Sequence, residues 1–234
     1  MLAKGAAVIK KEDTKSRILT KALHLFAQWG YDAVSVEQIA NAVGIKAPSL
    51  YKHFPSKQSI FDALFERTEH DFDEFLSGIS VHVGNAGGDM PVFGSMDADM
   101  LAGRFRDMMR YLLHDEYVSS FRRMMTIEQF RSPQLSALYT DRYIGKLMDY
   151  HTEIFSKLAE AGVVDCGDPR AAAYMYCSPV PVLLGVCDRQ PDKEAECLDI
   201  LDRHVHLFVE KMKKHIHVTA PQDGRCCFGR YLSV

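Results

Sequence analysis

A chain of 234 residues, 47% apolar and 25% charged, has the composition of a globular protein with one or two domains sharing a core, which excludes a wholly disordered or collagen-like chain. The formal net charge of −3 argues against indiscriminate coating of nucleic acid, but the charge is uneven. Residues 1–60 hold nine Lys/Arg against four Asp/Glu, a local balance of +5, and the rest of the chain carries −8.

A basic module on an acidic body suggests an anionic partner for the first sixty residues; a solvated lysine-rich helix face is the competing reading. Within the module, Ile18, Ala22, Leu25, Phe26 and Trp29 recur at helical spacing, and Gly30 follows where a left-handed cap would end the helix. Trp29 is expected in the core, between the first and fourth helices. Ser35 stands three residues before Gln38 as a capping-box pair, and Val36, Ile39, Ala40 and Val43 line one face of a short second helix that Gly44 ends. A third helix follows, with Pro48 tolerated in its first turn, Leu50 and Phe54 facing inward, and Pro55-Ser56 closing it ahead of a fourth helix from Lys57.

Two short helices joined by a tight glycine-containing turn form a helix-turn-helix, whose second helix fits the major groove of DNA. The residue types suit groove entry. Ala47 and Pro48 permit close approach and contact with a thymine methyl, Ser49 can donate or accept, and Lys46 and Lys52 can reach a base edge or phosphate. Tyr51 and His53 can hydrogen-bond phosphate oxygens, and the free N–H groups ahead of Lys57 make an anion site reinforced by that lysine.

The runs Ser35-Val36-Glu37-Gln38-Ile39-Ala40 and Val43-Gly44-Ile45-Lys46-Ala47-Pro48-Ser49-Leu50-Tyr51-Lys52-His53-Phe54-Pro55-Ser56-Lys57 resemble the N-terminal signature of the TetR family of bacterial transcription regulators. The resemblance covers roughly the first sixty residues. It implies an operator-binding module whose third helix reads the major groove through Ala47, Pro48, Ser49, Tyr51, Lys52 and His53, with Lys57 on phosphate and Ser35 to Glu37 beside the backbone. It also implies a larger helical domain that holds a small-molecule effector and forms a homodimer through its last two helices. Glu37 stands where some members carry a basic contact, so it either repels phosphate or faces solvent.

Beyond Lys57, Ile60, Phe61, Leu64, Phe65, Phe72, Phe75, Leu76 and Ile79 share one broad helix face that links two domains. The glycine-rich stretch 84–91 reads as a loop, and helix starts fall near Asp97, Asp115, Ser132-Pro133, Asp168-Pro169 and Pro191. No segment alternates like a strand, so the expected fold is all-α: a helix-turn-helix domain over residues 11–56, a helical effector-binding and dimerisation domain over 57–217, and a tail over 218–234. The apolar stretch 171–187 is broken by Pro179 and Pro181, which bend the helix and free the carbonyls of Met175 and Cys177. It is short for a bilayer crossing, and the N-terminus lacks the apolar centre of a secretory signal, so no membrane partner and a cytoplasmic location are expected.

Leu198, Leu201, Val205, Phe208 and Met212 recur at steps of three and four, the seam one helix presents to another; this is either the dimer interface or an intrachain core face. Nine of the 11 methionines lie between residues 90 and 175, which suits a plastic pocket, and Phe121, Met124, Met125, Phe130, Tyr143, Tyr174 and Tyr176 are its candidate lining. The pairs His204/His206 and His215/His217 point to different helix faces, so no shared metal is expected, and the six cysteines read as reduced thiols, with Cys226-Cys227 a candidate redox pair. Catalytic signatures are missing, and no cofactor is implied. The sequence therefore predicts a DNA-binding regulator, a repressor released from operator DNA by an effector. The alternatives are a ligand-independent activator or adaptor and, last, a small-molecule enzyme using the helical-domain cavity.

Overall fold

The computed structural model describes residues 13–212, apart from the side chains of residues 142 and 143, and about 80% of it is helical with no strand element. Residues 213–234, which include His215, His217, Cys226 and Cys227, lie outside the described part. Helix α1 runs Thr14–Trp29, α2 Val36–Val43, α3 Ala47–Tyr51 and α4 Lys57–Gly78. The caps read from the sequence at Ser35, Gly44 and Ser56 hold, whereas Gly30 ends α1 at φ 86°, ψ 156°, a positive φ outside the left-handed helical region expected of it. The Asp13 carboxylate accepts from Lys15 and Ser16 N–H, Ser35 and Gln38 form a reciprocal box, and Ser56 caps α4. Gly44 adopts the left-handed conformation (φ 79°, ψ 32°) that ends α2.

The remaining helices are α5 Ala86–Ser95, α6 Ala98–His114, α7 Glu116–Glu128, α8 Pro133–Tyr139, α9 Lys146–Glu160, α10 Pro169–Cys177, α11 Pro179–Arg189 and α12 Glu194–Met212. Asp97, Asp115, Ser132 and Asp168 cap α6, α7, α8 and α10 as their sequence positions predict. Helix α9 carries no such start signal because a π-helical turn, Thr140–Gly145, runs into it from α8.

Two apolar cores result. The head core joins Ile18, Leu23 and Phe26 of α1, Ile39 of α2, Leu50 and Phe54 around α3, and Ile60, Phe61, Leu64 and Phe65 of α4. The body core is built by α6, α9, α10, α11 and α12 around Phe105, Met109, Ile154, Leu183, Leu201 and Val205. Each such side chain contributes about 1.5–3 kcal/mol by leaving water.

Four expectations are corrected. Trp29 is 60% exposed, because the last turn of α1 projects past the head core, which Phe26 fills. Stretch 84–91 is not a loop: α5 forms through it despite Gly87, Gly88 and Pro91, since Asn85 caps it and Ala86 and Asp89 bury against the body. Leu198, Leu201, Val205, Phe208 and Met212 turn inward and belong to the body core of their own chain. Spacing defines a seam but not which chain fills it. Finally, α10 and α11 together span Pro169–Arg189, long and apolar enough to cross a bilayer by length and composition, yet Ala172, Ala173, Tyr176, Val180, Leu183 and Leu184 bury their apolar side in the core.

Candidate nucleic-acid interface and effector cavity

Helix α3 is short, and its inward side is fixed by Leu50 (fully buried) and Phe54. That leaves Lys46, Pro48, Tyr51, Lys52 and His53 exposed, with Ala47 and Ser49 half-buried beside them. The α1 side of the head is tied to α2 by Arg17, whose Nη2 donates to the Val43 carbonyl at 2.6 Å. Ser35 is exposed, and its hydroxyl already accepts from Gln38 N–H at 3.2 Å, while Glu37 faces solvent. Lys57 is placed differently from the expectation. Its Nζ donates to the carbonyls of Tyr31 (2.9 Å) and Asp32 (3.4 Å) and lies 4.4 Å from the centre of the Tyr31 ring. The ammonium is thus drawn onto the α1–α2 turn, where three carbonyl- and ring-type contacts hold it.

The predicted pocket residues divide. Phe121, Met124 and Met125 are fully buried, but in the head core, because α7 lies against α1 and α4 there. Phe130, just past the end of α7, is 86% exposed. None of these four lines either of the two cavities described below; the residue types fitted a pocket, but α7 packs the buried three into the head. Tyr174 and Tyr176 do line cavities, and the Tyr143 side chain lies outside the described part. Of the methionines, Met108 and Met148 reach a cavity wall.

The larger cavity, of ≈ 390 Å³, lies between α4, α7, α9, α10 and α11, with Thr68, Phe72, Leu112, Val118, Tyr139, Leu147, Tyr174 and Leu184 among its walls. A smaller one of ≈ 70 Å³ shares Phe72, Leu76, Met108, Leu147, Cys177 and Val180 with it and adds Phe93, Arg104, Phe105, His151 and Tyr176. Sequence reasoning missed Arg104 and His151. A usable signal was present: Leu101, Arg104, Phe105 and Met108 occupy i, i+3, i+4 and i+7, and His151 stands between Leu147 and Phe155, so each polar residue falls on an apolar stripe. Burial holds the His151 imidazole down to a pKa of about 4, partly opposed by its contact with the Leu147 carbonyl at 2.9 Å. Burial likewise raises the Tyr150 and Tyr176 hydroxyls.

Head and body meet through α7. Glu128, 1% exposed, accepts from Tyr31 N–H at 3.2 Å and lies 3.5 Å from Arg131 Nη1. Gly30 is required at that junction: its φ is +86°, and a Cβ there would meet Glu128 Oε1 at 2.6 Å. Arg122, on the wall of the larger cavity, makes a bidentate pair with Asp188 of α11 at 2.6 and 2.8 Å.

The polar cluster at the far end of α4 is a Ser77–His82–Asp89 chain, with His82 Nε2 3.3 Å from Ser77 Oγ and His82 Nδ1 2.8 Å from Asp89 Oδ1. Burial alone would raise the Asp89 carboxyl, but hydrogen bonds from Tyr150 and His82 overcome this and hold it below its ordinary value. The neighbouring N–H groups of Ile79, Ser80 and Val81 donate to Leu76 and Ser77 carbonyls, and the Ser77–His82–Asp89 chain fastens loop 79–85 to α5 and, through Tyr150, to α9. In α12 the two histidines diverge: His206 pairs with Asp99 at 2.9 Å, whereas His204 is lodged beside the Met175 and Tyr176 carbonyls. Among the described residues no three His, Cys, Asp or Glu side chains converge as metal ligands, and Cys166, Cys177, Cys187 and Cys197 are free thiols.

Comparison with known proteins covers both parts of the chain. Residues 18–64 match the family described as "Bacterial regulatory proteins, tetR family", and residues 99–211 match "AefR-like transcriptional repressor, C-terminal domain". The head is 46% identical over 48 residues to the biofilm operon icaADBC negative transcriptional regulator IcaR of Staphylococcus aureus, a stretch that is 20% of this chain and 26% of that protein. The match therefore spans about a quarter of the relative. Among solved structures, SmeT, the repressor of the Stenotrophomonas maltophilia multidrug efflux pump SmeDEF, superposes with a TM-score of 0.60 at 20% identity, over 93% of this chain and 98% of that one. AibR, solved with isovaleryl coenzyme A and operator DNA, superposes with a TM-score of 0.57 at 19% identity, over 81% and 96%. At these identities the structural likeness establishes the fold.

Proposed function

The chain belongs to the tetR family of bacterial regulatory proteins, and from that premise we propose that it is a homodimeric repressor in the cytoplasm that binds operator DNA and is released by a small-molecule effector. The observation that carries the reading is the division of α3: Leu50 and Phe54 anchor it, and Lys46, Pro48, Tyr51, Lys52 and His53 stand out together. Small, hydroxyl, aromatic and basic groups on a protruding helix are the chemistry of major-groove readout. The relatives named as repressors and the neighbour solved on operator DNA support the same assignment.

The cavity supplies the release. Thr68, Phe72 and Leu76 of α4 and Val118 and Arg122 of α7 line it, while the same two helices carry Ile60, Phe61, Leu64, Phe121, Met124 and Met125 into the head core. A ligand that prefers one packing of α4 and α7 therefore biases the position of α3, and it weakens DNA binding by its differential affinity for the two arrangements. A ligand-independent adaptor would have no use for a cavity of this size. The reading contains no catalytic step.

The dimer is assigned to the outward side of α11 and α12, where Val182 (65% exposed), Leu207 (56%) and Ile200 (38%) remain in water in the single chain. Two heads must then span about one helical turn, ~34 Å, or a multiple of it, which calls for an inverted-repeat operator. Selection of random duplexes on the purified protein tests the reading. An enriched inverted repeat whose occupancy falls on adding a small molecule supports it, and recovery of unenriched DNA refutes it. Leu207→Glu is expected to give a monomer in sedimentation with the fold intact.

A further inference from the structure

We propose that the cavity takes an amphipathic carboxylate, a hydrocarbon chain ending in one anionic carboxylate group, with Arg104 as its headgroup partner. The inference rests on reading the body as an effector-binding domain and adds the chemical class of the effector.

The two chambers share six wall residues and so adjoin, the smaller at one end. At that end the wall residues are Phe, Leu, Ile, Val, Met, Cys and Tyr apart from Arg104 and His151, and no carboxylate lines it. Arg104 is half-buried, and its Nη1 is buried without an acceptor among the described residues. A guanidinium nitrogen out of water with nothing to donate to is costly, and such a group marks a place where a partner is missing. His151 does not compete for the role, since burial keeps its ring neutral at physiological pH. Arg104, half-buried, thus places a positive charge on the wall of the smaller, otherwise largely apolar chamber.

The larger chamber offers no such group. The guanidinium of Arg122 on its wall is already neutralised by Asp188. Asp73 and Lys146 are both exposed, so water screens both charges. The cationic nitrogen without an acceptor lies in the smaller chamber alone, which orients the ligand: carboxylate on Arg104, beside the Tyr176 ring, and hydrocarbon along Leu112, Val118 and Leu184. The planar fork of the guanidinium matches a carboxylate in two parallel hydrogen bonds.

Calorimetric titration of the full chain with decanoate, decanol and decylamine is the test, on the natural protein and on Arg104→Gln and Arg104→Lys. Decanoate is expected to bind about tenfold or more tighter than either analogue. Arg104→Gln should remove that preference while leaving decanol unchanged, and Arg104→Lys should retain part of it. Removing the Nη1 group that is buried without an acceptor should also raise the melting temperature of ligand-free Arg104→Gln. Decanol or decylamine binding as tightly as decanoate to the natural protein overturns the proposal, an outcome independent of how any variant folds; so does an undiminished decanoate preference in Arg104→Gln. Decanoate binding with unchanged operator affinity would uphold the ligand class and remove its role as effector. Operator release by a neutral or cationic compound, with decanoate inert, would retain the regulator and overturn this ligand.

Discussion

The head and the body are both all-helical, but they handle polar residues in opposite ways. The head has a solid core of Ile18, Phe26, Leu50, Phe61 and Phe121 and places its functional groups outward on α3. The body encloses a cavity and places Arg104, His151, Tyr176 and the Asp89–Tyr150 pair inside or beside it. A surface built to meet a phosphate polymer needs a rigid platform, whereas a site that must respond to a small molecule needs unfilled volume and polar groups whose needs are incompletely met. Helices α4 and α7 carry side chains to both the head core and the cavity wall, which makes them the elements through which the regions affect each other.

Substitutions on α7 and just beyond its end test that division most severely. Phe121→Ala should cost about 3–5 kcal/mol in denaturant unfolding, as for a large side chain removed from a solid core, while Phe130→Ala should change stability by no more than about 0.5 kcal/mol. Similar losses at both positions would mean that α7 is not part of the head core. Acid should reveal the body next. The unfolded chain protonates His151 near its ordinary 6.5, whereas the folded chain resists until about 4. Stability is therefore full above the unfolded value and declines as pH falls between the two, by on the order of 3 kcal/mol. Asp89, also held below its ordinary value, acts in the same direction at lower pH. Unfolding midpoints across this range should flatten in His151→Gln; an unchanged slope would place the acid sensitivity elsewhere. At the junction, Gly30→Ala forces a side chain into positive φ and onto Glu128, and a loss of about 2 kcal/mol is expected with weakened DNA binding. A neutral outcome in melting curves would show that the Glu128 contact can open freely.

The two regions also differ in how readable they were. Asp13, Ser35, Gly44, Ser56, Asp97, Asp115, Ser132 and Asp168 act on their own or adjacent turns, so helix limits and the orientation of α3 follow from local sequence. Helix α5 was not legible, because contacts with α9 through Asp89 and Tyr150 outweigh its glycines. The seam of α12 was visible, but the partner filling it was not, and the outward Ile200 and Leu207, seven residues apart, have Arg203 and His204 between them and so form no continuous apolar stripe. The aromatic and methionine composition that suggested a pocket in α7 describes a solid core equally well; the polar intruders Arg104 and His151 on apolar stripes were the more informative mark.

The smallest effect bears on the central claim most directly: the salt dependence of binding to the selected operator, for the natural protein and Lys52→Ala. Lys52 is exposed beside Tyr51 on the outward side of α3, whereas Lys57 is held by the Tyr31 and Asp32 carbonyls. Removing one phosphate contact should weaken binding modestly and reduce the log–log salt slope by about 0.9 in Lys52→Ala, with a smaller change in Lys57→Ala. Unchanged affinity and slope in Lys52→Ala would contradict the assignment of α3 as the helix that meets DNA.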